Sequence, residues 1–169
     1  MYFSSLLCWI PTTQRNVCFL AWLAARGVIL TAENLRKKRI TYISWCFAWK
    51  SSGENADHLL LHCQVATRLW RMALNLFGLE WVMSGTVKEA LLSWAHSRGK
   101  RTPRAWILAP LAIMWVIWKE RNKRAFEGVG QDFVKLQSSL LFLVSFWGTY
   151  EIPTCIEDRA SFIENHISV

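Results

Sequence analysis

The run AWILAPLAIMWVIW, Ala105 to Trp118, carries no polar side chain. A helix that is apolar on every side must be buried, in a protein core or in a bilayer. The run is shorter than the ~18 apolar residues that a spanning helix needs. Pro110 also interrupts it. The expectation is therefore a core helix around which the other elements pack. Membrane attachment is the lesser reading, kept because basic residues follow the run directly.

The other segments read mostly as helices. Val17, Leu20, Ala21 and Ala24 recur at helical spacing from about Gln14 to Arg26, and Gly27 supplies a stop. Thr31 fits as the N-cap of AENLRKKR, with Glu33 in the first turn and cations in the last. ITYISWCF is rich in β-branched and aromatic residues and predicts a short strand over 41–47. KSSGEN reads as a turn. Helical pattern resumes near Asp57 and continues to Gly78, with a break at Cys63. Thr86 and Glu89 form a capping box that opens a helix closing near Gly99. Thr102 and Pro103 suit the start of a helix ending at Gly128, and another helix covers about 132–147.

The sum is a mainly α chain: an irregular helical domain with one short strand and a segment like a zinc knuckle. The expected division is a domain over 1–78, a helical extension packed on it over 79–150, and an acidic, flexible tail over 151–169. With 53% hydrophobic residues there is ample material for a core, and most of the eleven Trp belong in it.

WCFAWKSSGENADHLLLHC, Trp45 to Cys63, places Cys46, His58 and Cys63 close together in sequence. Structural zinc takes four donors. Position 49, where a Cys-x-x-Cys pair would put its second sulfur, holds Trp49. On a straight helix His58 and Cys63 point about 140° apart, so both reach one ion only where the helix breaks between them. His62 shares a face with His58 and is the substitute fourth donor. HLLLH lacks the general-base Glu of a metalloprotease helix, which excludes that class. Three outcomes stand: zinc held by Cys46, His58 and Cys63 with water or His62, weak metal binding only after folding, or no metal and Trp49 filling the hole.

The net charge is +8. It is regional: nine cations against Glu89 and Glu120 from Lys88 to Arg124, and six against Glu33 from Arg26 to Lys50. Such patches suit phosphate contact with RNA or DNA, and equally suit solvated helix faces. The candidate contacts are Arg36, Lys37, Lys38, Arg39, Arg98, Lys100, Arg101, Arg104, Lys119, Arg121, Lys123 and Arg124. Glu120 can instead pair with Arg124 at i,i+4.

No carboxylate cluster, Gly-rich phosphate loop or Ser-His-Asp arrangement is present, so no catalysis and no small-molecule substrate are expected. The five Cys are spread out and odd in number, and Cys8 and Cys18 read as small buried hydrophobes. Together with a start lacking a basic n-region, this places the protein inside the cell, in nucleus or cytoplasm.

Several stretches together resemble a known family. They are FLAWLAARG, ILTAENLRKK, Gly53-Glu54 ahead of DHLLLHC, and Trp70, followed by LFGLEWVM and LAIMWVIWKERNKRAFEG. The chain from about Trp9 to Trp147 resembles the zinc-binding domain downstream of the reverse transcriptase in plant LINE-type (non-LTR) retroelement polyproteins, with the region after it. The resemblance implies zinc as cofactor. By position it puts the family's ligands on Cys46, His58 and Cys63, and the missing cysteine on Trp49. It also favours nucleic acid as partner. The rival reading is an inactive remnant that acts only as a helical structural or protein-interaction domain.

Overall fold

A computed structural model describes residues 15–41, 43–50, 53–96 and 104–149, the last beginning with the backbone of Arg104. The chain is mainly helical there, with no sheet. Six α-helices follow in order: α1 Arg15–Ala25, α2 Ala32–Lys37, α3 Gln64–Leu76, α4 Val87–His96, α5 Arg104–Asn122 and α6 Phe133–Thr149. Two π-helical segments interrupt the series, His58–His62 before α3 and Lys123–Glu127 continuing α5. The cap expected at Thr102, the loop holding Arg98, Lys100 and Arg101, and the acidic tail lie outside the described residues.

Helix α5 is the axis of the packing. It touches α1, α3, α4, α6 and the first π segment. Leu108, Ala109, Leu111, Ala112, Ile113, Met114 and Ile117 are all essentially inaccessible. This is the surrounded apolar helix that the Ala105–Trp118 run demands. No helix among the described residues is long and apolar enough to cross a membrane.

Pro110 sits inside α5, where it cannot donate to the carbonyl four residues back, at Trp106. That carbonyl instead accepts the indole N–H of Trp94 at 2.9 Å. The two indoles stack with centroids 3.7 Å apart, and Trp81 and Phe77 pack on them. The proline thus creates the acceptor that fixes α4 against α5. Trp70, Trp94, Trp106 and Trp147 are buried, while Trp22, Trp81, Trp115 and Trp118 are half-buried.

The helix ends follow local chemistry. Gly27 and Gly128 adopt φ of +67° and +71° past their helices, where a side chain would be strained. Thr31 Oγ1 accepts the Asn34 N–H at 3.4 Å and caps α2. The capping box is reciprocal: Thr86 Oγ1 accepts from the Glu89 N–H at 3.2 Å, and Glu89 Oε2 accepts from the Thr86 N–H at 3.3 Å. Asp57 adds to it by accepting the Val87 N–H at 2.8 Å. Thr86→Ala is expected to lower stability by about 1 kcal/mol in a denaturant titration. A loss below a few tenths would mean that Asp57 alone holds the helix start.

The strand expected over 41–47 does not form. Only an isolated antiparallel bridge joins Trp45 to Gly53. The sequence has β-branched and aromatic residues there, but the described residues offer no second strand for them to pair with. The backbone groups are met in other ways: Ser44 O accepts from the Glu54 N–H at 3.3 Å, and the Phe47 N–H donates to Glu54 Oε2 at 2.9 Å.

Candidate metal centre

Cys46 is carried on the irregular segment before the Phe47–Lys50 turn. That turn is closed by the Trp49 and Lys50 N–H groups, which donate to Cys46 O at 3.3 and 2.6 Å. Lys50 takes φ of +58° to complete it. His58 and Cys63 bracket the π segment. Its start is capped by Asn55, whose Oδ1 accepts the His58 N–H at 2.8 Å.

The predicted break between His58 and Cys63 takes a specific form. The Cys63 N–H donates to His58 O, closing a ring over five residues rather than four. A π turn brings residues five apart onto the same side, where a straight α-helix would hold them ~140° apart. Cys63 then leaves helical geometry at ψ 143° and serves as N-cap of α3. The carbonyls released by this break find side-chain donors. Leu60 O accepts the Trp70 indole N–H at 2.8 Å, and Leu61 O accepts Thr67 Oγ1–H at 3.4 Å. Trp70 is 2% exposed, so its indole is part of the scaffold of the site.

The three donors converge. One ligand atom from each of Cys46, His58 and Cys63 lies within 4.8 Å of the others, and this is the only such group among the described residues. The two sulfurs are 3.8 Å apart. Tetrahedral zinc with Zn–S bonds of ~2.3 Å separates two sulfurs by about 3.8 Å. The donor set therefore fits zinc: Cys46 and Cys63 would supply thiolates and His58 an imidazole nitrogen. A zinc ion held there would tie the turn to the π segment and leave one position for solvent.

The electrostatics suit a thiolate. The Cys63 thiol is lowered to about 6, chiefly by the hydrogen bond from Cys46, with help from the Val65 and Ala66 N–H groups at the start of α3. Cys46 is pushed upward by the bond that it shares with Cys63 and by burial. Burial lowers His58, which favours the neutral, ligating form. Cys18, Cys46 and Cys63 are not in disulfides.

Two proposals for the fourth position are corrected by the geometry. Trp49 does not fill the hole: its side chain is 49% exposed. An indole that must keep the tight turn points outward, while its backbone N–H still bonds Cys46. His62 is exposed, and its Nε2 bonds Gly85 O at 3.0 Å, away from the donor group.

Glu54 organises the surroundings, a role that its place in the sequence does not announce. It is 1% exposed. Its Oε1 accepts from the Ala32 N–H at the start of α2 and from Arg121 Nε and Nη2, all at 2.8–2.9 Å, and its Oε2 accepts from the Phe47 N–H. One carboxylate therefore ties α2, the residue after Cys46, and α5 together. Arg121 is 1% exposed and also lies over the rings of Phe47 and Trp118.

This removes Arg121 from the candidate phosphate contacts, because its guanidinium is spent inside the core. Arg124 is also engaged. Its Nε bonds Glu120 Oε1 at 2.6 Å, the i,i+4 pair expected from the sequence, and its Nη2 donates to Gln131 O. A run of cations on one helix alternates between faces: Arg121 falls on an inward one, and Arg124, 31% exposed, is held at its ion pair. Arg36, Lys37, Lys38, Arg39 and Lys119 are exposed, Lys123 is half-exposed, and Lys37 pairs with Glu33 at 2.7 Å. The side chain of Arg104 lies outside the described residues.

Residues 3–70 match the family model described as zinc-binding in reverse transcriptase. The matched segment contains all three donors and ends at Trp70, the residue whose indole holds the break beside them. No curated protein and no solved structure gives a match.

Proposed function

We propose that the chain is a non-catalytic accessory module from a reverse-transcriptase polyprotein of the plant LINE type. In this reading a metal knuckle stiffens a helical body that holds RNA or DNA by charge. The observation that carries it is the convergence of Cys46, His58 and Cys63 within 4.8 Å, inside the segment matching the zinc-binding family. The exposed cations of α2 and Lys119 on α5 supply phosphate contacts. The non-catalytic part is supported by the buried acids, since Glu54 and Glu120 are engaged by Arg121 and Arg124. The region downstream of residue 70 belongs to the same module in this reading, because Arg121 completes the Glu54 anchor.

Binding through phosphates releases counterions. Affinity for a mixed-sequence oligonucleotide is expected to drop by roughly 10²–10³ between 50 and 200 mM salt, with little sequence preference. Anisotropy titrations at several salt concentrations check this. A flat salt dependence would remove the nucleic-acid reading.

A second reading has its own observation. Val134, Leu141, Phe142 and Phe146 on α6 are 42–68% exposed. Such a face favours a helical protein-interaction domain without nucleic-acid binding. Gel filtration with added RNA in low salt separates the two readings, since only the first gives co-elution.

A further inference from the structure

Trp45 and Trp49 are the two Trp side chains among the described residues that remain about half open to solvent, 47% and 49% exposed. Trp45 directly precedes Cys46, and Trp49 lies in the turn that follows it. An indole in water forgoes a large burial term, and the other described Trp are covered wholly or in part. Trp45 is also held firmly. Its backbone bridges to Gly53, and the preceding Ser44 O accepts the Glu54 N–H at 3.3 Å. An aromatic side chain on an anchored backbone is thus presented to solvent one residue from a metal donor.

Trp45 forms one wall of a surface concavity of about 420 Å³, shared with Arg36, Lys50, Ser44, Asn55 and Glu33. That volume lies within the ~300–1,000 Å³ usual for sites that take a small molecule or one unit of a polymer. The acids nearby are neutralised. Glu33 is held by Lys37 at 2.7 Å, and the carboxylate of Glu54 is paired with Arg121. Arg36 and Lys50 are exposed and make no ion pair with any described residue. The concavity therefore combines a flat π-face with uncompensated positive charge. An acidic peptide would satisfy the cations and leave the indole unused. A nucleotide with an unpaired base uses both, because every base has a face to stack and a phosphate beside it.

Resting on the nucleic-acid reading above, we propose that this concavity is a single-strand subsite, in which one unpaired base stacks on Trp45 and its phosphate lies between Arg36 and Lys50. A duplex keeps its bases stacked on one another and cannot offer one to Trp45 without unpairing. The knuckle then has a second task, to keep Trp45 fixed relative to α2.

The test uses the full chain and labelled ten-nucleotide oligo(dT) and oligo(rU), with a duplex of equal length as control. Trp45→Ala is expected to weaken binding to the single strands by about 5- to 150-fold, the range for loss of one base–aromatic stack. Trp45→Phe should retain most of the affinity, and duplex binding should change by less than about twofold. The tighter of the two single strands identifies the sugar preferred. Arg36→Gln with Lys50→Gln should flatten the salt dependence by about one unit of slope per cation. Trp45 is half exposed, so its substitutions leave the core intact, and zinc content with circular dichroism confirms this. If Trp45→Ala binds single strands as the parent does, the subsite is wrong while the nucleic-acid reading stands. Equal weakening on single strand and duplex, or displacement by polyglutamate as effective as by oligo(dT), also overturns it. If neither single strand nor duplex binds at low salt, both the subsite and the reading beneath it fall.

Discussion

Truncating Arg121 to Ala should destabilise the fold by about 3–5 kcal/mol. The substitution leaves the Glu54 carboxylate buried, 1% exposed, without its two guanidinium donors. A charge stripped of its partner in such a place costs far more than the pair was worth, because the desolvation penalty remains. The damage spreads, since the same carboxylate receives the Ala32 and Phe47 N–H groups. Phe47 follows Cys46 directly, so zinc uptake should fall along with stability. Arg121→Lys keeps the charge but loses the fork, and an intermediate loss is expected. Replacing both partners by apolar residues of similar volume, Glu54→Leu with Arg121→Met, removes the stranded charge but leaves the Ala32 and Phe47 N–H groups without their acceptor, so only part of the stability should return. Denaturant titrations of the four proteins check the series. An Arg121→Ala protein within 1 kcal/mol of the parent would show that Glu54 is satisfied without it.

The second large effect concerns position 49. Trp49→Cys is expected to raise zinc affinity by roughly two to three decades. The ~10–16 kcal/mol of a closed four-donor site corresponds to about 2.5–4 kcal/mol per donor. The turn already brings the residue 49 N–H to the Cys46 sulfur, so a short cysteine side chain has only to turn inward, where the larger indole points out to solvent. Because zinc binds the folded chain, the variant should also gain stability as zinc is added, by RT ln(1 + [Zn]/Kd). Zinc content after dialysis and a competition titration with a chromogenic chelator read the difference. Equal affinity in parent and variant would mean that position 49 does not face the donor group, whatever its backbone does.

Much of the helical framework could be read directly from the residues. The stops at Gly27 and Gly128, the caps at Thr31 and Thr86, and the burial of Ala105–Trp118 depend on local geometry and hydrophobic pattern. Such features act within a few residues and therefore leave a mark in a short window of sequence. The strand over 41–47 failed for the opposite reason. Its composition is suited to pairing, but pairing requires a second strand, and the described residues around it provide none. The metal donors were legible as residue types, and the need for a break between His58 and Cys63 followed from helical periodicity. The form of that break was not legible. It depends on the Trp70 indole reaching Leu60 O from ten residues away.

The cations divide along the same line. Arg36 and Arg121 look alike in the sequence, each set among other basic residues. One is exposed and the other is locked on Glu54, 67 residues away. Nothing local distinguishes them, because the difference is made by a partner that only folding brings near.

What the sequence determined by itself is the inventory: three soft donors with a fourth replaced by Trp49, an apolar helix that must be surrounded, and an excess of positive charge. The tertiary structure alone decided how these are used. It set the 3.8 Å between two sulfurs, turned Trp45 and Trp49 outward, and moved Arg121 from the surface to the core. The physical reason is range. Caps, stops and hydrophobic periodicity act between near neighbours, whereas donor convergence and charge pairing depend on distances that exist only once remote segments have packed.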